Sequence, residues 1–484
     1  MPPSDPAIRF LLNGERHAVS GISPTTTLLD WLRDHAGLKG TKEGCAEGDC
    51  GACTIALGTP AENGKGLCWQ AANSCLLMLP QVHGRALLTV EALAGADGSL
   101  APVQQALVDT DASQCGFCTP GFAMAMFAFQ QGGEEAEDAT IHEALAGNLC
   151  RCTGYRPIVE AMRRIAGTAD AAFALRSQGW RQELADLPEP ADYVVGTQQF
   201  LSPLHLDDLI ALRVANPEAR LLAGGTDLGL LVGKERRPLG TVIWLSQVAE
   251  LNELELTERY LKIGAAVTYS RALPLIDEAF PGLGALVRRI GSRQIRNLGT
   301  LGGNCANASP IGDTLPCLIA LEATMIVAGP NGRREIPADA FFVDYRKTAL
   351  TPDEVLVAVC LPLLRDDQAF HCHKVAKRHD QDISAVIGAY RLTFEGTKVG
   401  DARIVYGGMA ATPKRARGAE AALRGRPWTE DSIAAAIGML SADFQPIGDF
   451  RASAGYRLTV AGNLIRRLFL EITAPQTPLE VMEL

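Results

Sequence analysis

The chain has 484 residues, with 45 Lys and Arg against 55 Asp and Glu for a net charge of −10, and 47% of its residues are hydrophobic. That length is too great for one core and implies about two to four domains, while the composition excludes wholesale disorder. The acidic balance argues against a nucleic-acid partner, and the basic runs KERRP from Lys234 and PKRARG from Lys414 are short, lack interleaved aromatics and read as solvated surface.

In chain order, the opening MPPSDPAIRFLLNGE has no positive region followed by an apolar one, so no signal peptide is expected. The longest apolar runs, such as GFAMAMFAF from Gly121, fall short of the ~20 residues of a membrane span, and a cytoplasmic location without membrane contact is expected. IRFLLNGERHAV alternates around Asn-Gly and predicts a hairpin. TTTLLDWLRDHAGL has helical periodicity, with Thr25 to Thr27 as cap candidates and Gly37 near its end.

Thirteen cysteines in a reducing compartment point to metal or redox chemistry rather than disulfides. Cys45, Cys50 and Cys53 have the C-x4-C-x2-C spacing of a plant-type 2Fe-2S loop, in which Gly48 and Gly51 let backbone amides turn toward the sulfurs. Cys75 in ANSCLLMLP is favoured over Cys68 as the fourth ligand. A second set, Cys115-x2-Cys118 and Cys150-x-Cys152, precedes the helical runs PGFAMAMFAFQQ and RPIVEAMRRIAG, whose N-termini would stabilise thiolates. A second iron-sulfur cluster is the sharper reading, with structural zinc the alternative; the C-x-C pair fits zinc spacing poorly.

Further along, ARLLAGGTDLGLLV reads as a strand, a glycine turn and a second apolar run. The turn at Gly224, Gly225 and Thr226 could nest a pyrophosphate, or be an ordinary tight turn; GTLGGNCANASPIGD offers a second small-residue loop for the same ligand. Cys305, Cys317, Cys360 and Cys372 show no ligand spacing and read as buried thiols. His371, His373 and His379 form no metal set by sequence, because no carboxylate or cysteine lies beside them at strand spacing. AVIGAYRLTFEGTKVGDARIVYGGMA alternates like paired strands, and TEDSIAAAIGML and SAGYRLTVAGNLIRRLFLEI are helical.

GCAEGDCGACT, QCGFCTPG and NLCRCTGYRPI together resemble the two-cluster module of the xanthine dehydrogenase family of molybdenum hydroxylases. LLAGGTDLG at Leu221, LGTLGGNCANASPIGD at Leu298, FFVDYRKTAL at Phe341 and KRHDQDIS at Lys377 resemble the FAD domain of the same family. The implied fold is α+β and multidomain. A ferredoxin-like 2Fe-2S domain covers 1–85, a four-helix 2Fe-2S domain 86–165, a linker 166–191, a two-subdomain FAD-binding domain 192–370, and a small C-terminal α+β flavoprotein domain 371–484.

The resemblance implies two 2Fe-2S clusters, on Cys45, Cys50, Cys53 and Cys75 and on Cys115, Cys118, Cys150 and Cys152. It implies FAD contacts at Leu221, Leu222, Ala223, Gly224, Gly225, Thr226, Asp227, Leu228, Thr300, Leu301, Gly302, Gly303, Asn304, Asp313, Leu356 and Lys374, and at Ile290, where mammalian members carry phenylalanine. Gly225 replaces an asparagine of several relatives. Since the chain stops at Leu484, the resemblance implies the small iron-sulfur/FAD subunit of a split bacterial member. A molybdopterin-binding large subunit would be the partner, in a dimer of heterodimers, and NAD the co-substrate. No catalytic residue for substrate oxidation is assigned here. The alternative is the equivalent subunit of a hydroxylase for an aldehyde or N-heterocycle.

Overall fold

The computed structural model describes residues 7–61, 64, 66–168, 170–476 and 479. The chain divides into two compact units, Met1–Val248 with Gly291–Gly299, and Ala249–Ile290 with Thr300–Leu484. Residues 192–248 and 291–299 thus fall in the first unit, although the sequence assigns them to the flavin-binding stretch.

The first unit opens with the expected hairpin, Ile8–Leu12 against Glu15–Val19, turning at Asn13 and Gly14 with φ of 55° and 94°. Both signs are positive, as a two-residue turn matching strand twist requires. The sheet grows to five strands, in the order Glu15–Val19, Ile8–Leu12, Ala86–Leu88, Thr54–Pro60, Leu67–Asn73, with only the Ile8–Leu12 and Ala86–Leu88 pair parallel. Thr27 caps the predicted helix by accepting from the Asp30 N–H, but the helix is short. Leu28–Asp30 runs into a wider π turn, Trp31–His35, in which Trp31 and Leu32 are both buried and Trp31 meets Phe10 edge-on.

Four helices follow, Pro102–Asp109, Thr119–Gly132, Asp138–Leu145 and Arg156–Ile165. Thr119–Gly132 is apolar on all sides and buried from Gly121 to Gln130, so it forms the centre of this bundle. The stretch 166–191, expected as a linker, carries the short helices Ala171–Arg176 and Trp180–Ala185, and Phe173, Trp180 and Leu184 are buried in the same core. The unit ends in a four-stranded sheet, Tyr193–Val195, Gln198–Leu201, Thr241–Trp244, Arg220–Leu222, whose last three strands are parallel.

In the second unit, Leu254–Leu256, Tyr260–Gly264, Val355–Pro362, Thr324–Gly329 and Gly332–Pro337 form an antiparallel sheet in that order. A meander of Gln368–Val375, Val386–Glu395, Lys398–Gly407 and Lys414–Arg415 then packs with the helices Arg417–Leu423, Glu430–Asp443 and Ala454–Thr473, matching the predicted strand pair and helices. Among the described residues no helix is long and apolar enough to cross a membrane.

Candidate functional site

The loop carrying Cys45, Cys50 and Cys53 fills the gap between the π turn and the strand Thr54–Pro60. Positive φ at Ala46 and Gly48 (54° and 76°) curls it inward, so the N–H groups of Glu47, Asp49 and Cys50 each donate to Cys45 Sγ at 3.4 Å. The fourth sulfur comes from the turn after Leu67–Asn73: Cys75 Sγ lies 3.3 Å from Cys53 Sγ, and both are buried against Leu29 and Leu76. Ser74 fastens that turn through Ser74 Oγ to the Cys53 carbonyl at 2.8 Å. Cys68, weighed as the alternative, sits exposed on the strand itself, opposite Thr59. The hydrogen bond from Cys50 and the three backbone N–H groups outweigh burial and lower the Cys45 thiol to about 5. The Cys75 thiol likewise holds Cys53 low. Sulfurs that accept several donors are what a cluster's negative charge requires, so this set fits a 2Fe-2S cluster.

The second quartet lies at two helix starts, as expected. Cys118 is the N-cap of Thr119–Gly132, and Cys150 and Cys152 precede Arg156–Ile165, whose N-cap Tyr155 has φ 68°. The sulfurs pair as Cys115 with Cys152 and Cys118 with Cys150. Cys150 Sγ accepts from Thr153 N at 3.5 Å and Thr153 Oγ1 at 3.2 Å, and the Tyr155 hydroxyl accepts from Cys150 N at 2.9 Å. Burial, then Cys150, pushes the Cys118 thiol up to about 12. Cys115 and Cys152 are exposed, as are Phe117, Leu149 and Tyr155 beside them. Among the described residues no group of three or more His, Cys, Asp or Glu side chains is spaced to hold a single metal ion. Four neighbouring cysteine sulfurs at two helix starts fit the ligand set of a 2Fe-2S cluster.

The flavin candidates divide between the units. In the first, Arg220–Leu222 turns through Ala223–Asp227 into the helix Leu228–Gly233, with φ 82° at Gly225. A Cβ at Gly224 would collide with the Leu298 carbonyl, so this glycine is required by backbone packing and a substitution there would test the fold as much as a phosphate site. The helix lies on the turn of the first quartet: a Cβ at Gly233 would sit 2.7 Å from the Cys75 carbonyl, and one at Gly229 2.6 Å from that of Leu76. The KERRP run is fastened there too, Lys234 to Glu47 and Arg236 to Asp30 (2.7 Å) and Glu43 (3.3 Å), rather than simply facing solvent.

In the second unit Thr300 caps Leu301–Asn307 by accepting from Gly303 N at 2.9 Å, Gly302 packs on the Ala265 backbone, and Gly303 is exposed. Asn304 Oδ1 accepts from Thr314 Oγ1 at 2.8 Å. Asp313 and Lys374 come together as a buried ion pair at 2.6 Å, completed by Ser384 Oγ on Asp313 at 2.8 Å and by the Arg289 carbonyl on Lys374 at 2.9 Å. Removing one partner of such a pair costs about 3–5 kcal/mol, so both residues hold the fold. Ile290 follows Arg289 half-buried, and Leu356 is buried on Val355–Pro362 opposite Val327. Small residues and backbone line both the Gly224–Thr226 turn and Thr300–Asn304, and each fits a group that binds through main-chain donors.

Two expectations need correction. The fold supplies the carboxylate that the sequence lacked beside the histidines: Glu471 Oε2 lies 3.0 Å from His371 Nδ1 and 3.1 Å from His373 Nε2. Burial opposes that charge, but the two imidazoles and Arg467 hold the Glu471 carboxyl below its usual range. Of the four spare cysteines, Cys305 and Cys317 are buried, whereas Cys360 and Cys372 are half-buried, with Cys372 Sγ donating to the Gly282 carbonyl at 3.2 Å.

The residues that sequence reasoning missed lie between the quartets. Segment Gly291–Gly299 enters the first unit, where Arg293 pairs with Glu143 (2.7 Å) and Glu134, Arg296 pairs with Glu143, and Gln294 reaches Asn148. Two arginines around one glutamate signal a docked segment, but nothing local names their partner.

Four family models match in chain order: the 2Fe-2S iron-sulfur cluster binding domain over residues 10–78, the [2Fe-2S] binding domain over 89–163, the FAD binding domain in molybdopterin dehydrogenase over 196–364, and the CO dehydrogenase flavoprotein C-terminal domain over 371–472. Xanthine dehydrogenase of Emericella nidulans is 30% identical over 97% of this chain and 39% of its own length. Xanthine dehydrogenase 1 of Arabidopsis thaliana is 32% identical over 89% and 37%. The chain thus spans well under half the length of these curated relatives. Among solved structures, carbon monoxide dehydrogenase from Hydrogenophaga pseudoflava matches at 29% identity and TM-score 0.53, covering 57% of this chain and 96% of that one. Quinoline 2-oxidoreductase from Pseudomonas putida 86 matches at 28% and 0.52, covering 56% and 95%. The chain belongs to the molybdenum-hydroxylase superfamily, as an iron-sulfur and FAD-binding flavoprotein with two 2Fe-2S domains, a two-lobe FAD-binding domain and a small C-terminal α+β domain.

Proposed function

We propose that this chain is the electron-transfer component of a xanthine dehydrogenase. It would take electrons from a molybdopterin centre on a large partner subunit, in hypoxanthine and xanthine oxidation to urate, and deliver them to NAD. The observation that supports this order of transfer is the close packing of the helix Leu228–Gly233, which follows the turn proposed for FAD, on the Cys75–Leu76 backbone. The second quartet has exposed sulfurs and exposed apolar neighbours, as a partner-facing entry would. When bound, the clusters carry electrons singly and FAD exchanges them with NAD as hydride. Cys115, Cys118, Cys150 and Cys152 hold the entry position; Cys45, Cys50, Cys53 and Cys75 hold the next, with the Cys45 sulfur screened by three N–H donors. The flavin contacts are assigned to each unit by itself: in the first the turn Leu221–Leu228 would offer main-chain donors to a diphosphate, and in the second Thr300–Asn304, Asp313, Leu356, Lys374 and Ile290 would be the contacts.

The substrate assignment draws on the xanthine dehydrogenase relatives. The likeness to quinoline 2-oxidoreductase favours a second reading, a hydroxylase for an N-heterocycle, with an aldehyde as the remaining class. The test is purification with the molybdenum-bearing partner. Each copy of this chain should bring about four irons, two per cluster, with FAD, and xanthine should reduce NAD in preference to oxygen, in a dimer of heterodimers. Gly303→Asp, at an exposed glycine, should release FAD and abolish NAD reduction while xanthine still bleaches the iron-sulfur absorbance. Turnover of quinoline or an aldehyde but not xanthine would overturn the substrate, and retention of FAD by Gly303→Asp would overturn the proposed flavin contact.

A further inference from the structure

The two quartets belong to different domains, yet their loops touch through main chain. Leu149 N donates to the Cys50 carbonyl at 2.9 Å. Since Leu149 precedes Cys150, a route from Cys50 Sγ to Cys150 Sγ runs along covalent bonds with this single hydrogen bond as its only through-space step. Glycines make the approach close: a Cβ at Gly51 would strike the Gly147 carbonyl, and one at Gly121 the Gly51 carbonyl.

Three wholly buried polar side chains frame this contact, Gln294 (0% exposed), Thr54 (1%) and Asn148 (2%). Asn148 Nδ2 donates to the Gly51 carbonyl at 3.0 Å, next to Cys50, and Asn148 is itself next to Leu149. Gln294 Nε2 donates to Asn148 Oδ1 at 2.8 Å and reaches Thr54 Oγ1 at 3.3 Å. Its other amide atom, Oε1, is buried and has no hydrogen-bond partner among the described residues.

We propose that Gln294 is the positioning residue for electron passage between the two quartets: by orienting Asn148 it holds the Gly51 carbonyl, and so keeps the Cys50 carbonyl on the Leu149 N–H. This rests on the reading of the quartets as cluster ligands. With clusters bound, the passage would move one electron from the centre held by Cys115, Cys118, Cys150 and Cys152 to that held by Cys45, Cys50, Cys53 and Cys75; one would be oxidised as the other is reduced, with no bond formed or broken. The role is the chain's own, for Gln294 touches neither quartet directly.

Gln294→Met keeps the side-chain length and removes the donor. In the full complex it should retain about four irons per copy of this chain, two per cluster. After substoichiometric dithionite and rapid freezing, the electron paramagnetic resonance signals of the two centres should equilibrate about tenfold more slowly than in the unaltered protein, the low end of what losing an outer partner of a metal ligand produces. The magnetic splitting between the two signals in the fully reduced protein should change as well, which a merely stabilising residue would not alter. If Gln294→Met fails to fold, Asn148→Asp, which sets a carboxylate oxygen against the Gly51 carbonyl, carries the same two measurements. Full iron with unaltered splitting and kinetics would overturn the proposal, as would loss of iron from both variants with native circular dichroism. An iron content far below four in the unaltered protein would instead overturn the cluster reading itself.

Discussion

The two cysteine quartets carry the same four sulfurs in opposite settings. In the first, Cys53 and Cys75 are buried and Cys45 is wrapped by backbone donors. In the second, Cys115 and Cys152 are exposed, Cys115 accepts from the Phe117 backbone, and Cys150 takes both its N–H and its hydroxyl donor from Thr153 besides meeting Cys118 and the Cys152 backbone. A sulfur buried in a core is guarded from water and tied to folding, whereas one at a helix start near the surface is within reach of solvent and of a partner. The contrast is one of burial and donors, since all eight ligand candidates are cysteines.

The largest test of this contrast is Cys75→Ala. Iron should fall from about four to about two per chain, one resonance signal should vanish, and the melting temperature should drop, because binding at a buried ligand set is folding free energy. Cys68→Ala should leave iron and melting unchanged. The reverse result would move the ligand to Cys68 and remove the buried quartet from the comparison.

A smaller effect should separate the sets kinetically. Under a mild chelator with an oxidant, iron should leave in two phases, with the signal of the Cys115, Cys118, Cys150 and Cys152 set decaying first. Cys150→Ser marks which signal that is. Decay in the opposite order would break the argument from exposure.

The smallest change sharpens the comparison. Thr153→Val deletes the hydroxyl donor on Cys150 Sγ and leaves the N–H. A donor stabilises the more negative, reduced state, so the midpoint potential of that centre should fall by about 20–60 mV, the one-electron equivalent of a net hydrogen bond of about 0.5–1.5 kcal/mol. Redox titration should show this with iron retained. A matching shift in the other centre would mean that the two sets are not separately tuned.

What the sequence disclosed follows from how local each signal is. The C-x4-C-x2-C loop, the C-x2-C and C-x-C pairs and the Asn-Gly hairpin are legible because their partners lie within a few residues or in a spacing dictated by cluster geometry. The strands Thr54–Pro60 and Leu67–Asn73 are not, since small and polar residues interrupt Ile55, Leu57, Leu67 and Trp69 and leave no sustained alternation. Glu471 could not be paired with His371 from sequence, as nothing about a glutamate in a C-terminal helix specifies a strand a hundred residues earlier. Gln294 was equally hidden, its partners being 146 and 240 residues away.

Those separations bear on how the protein is made. Asn148 leaves the ribosome 146 residues before Gln294. At about 5–20 residues per second, the two cysteine loops therefore exist for on the order of ten seconds before the segment that closes over them is synthesised. During that interval the seam lacks one wall, and Glu134 and Glu143 lack the arginines that will cover them. Until Gly291–Gly299 is made, Ile295 is also missing from the apolar cover over Cys53 and Cys75, so the inner quartet is less enclosed in the nascent chain than in the finished fold.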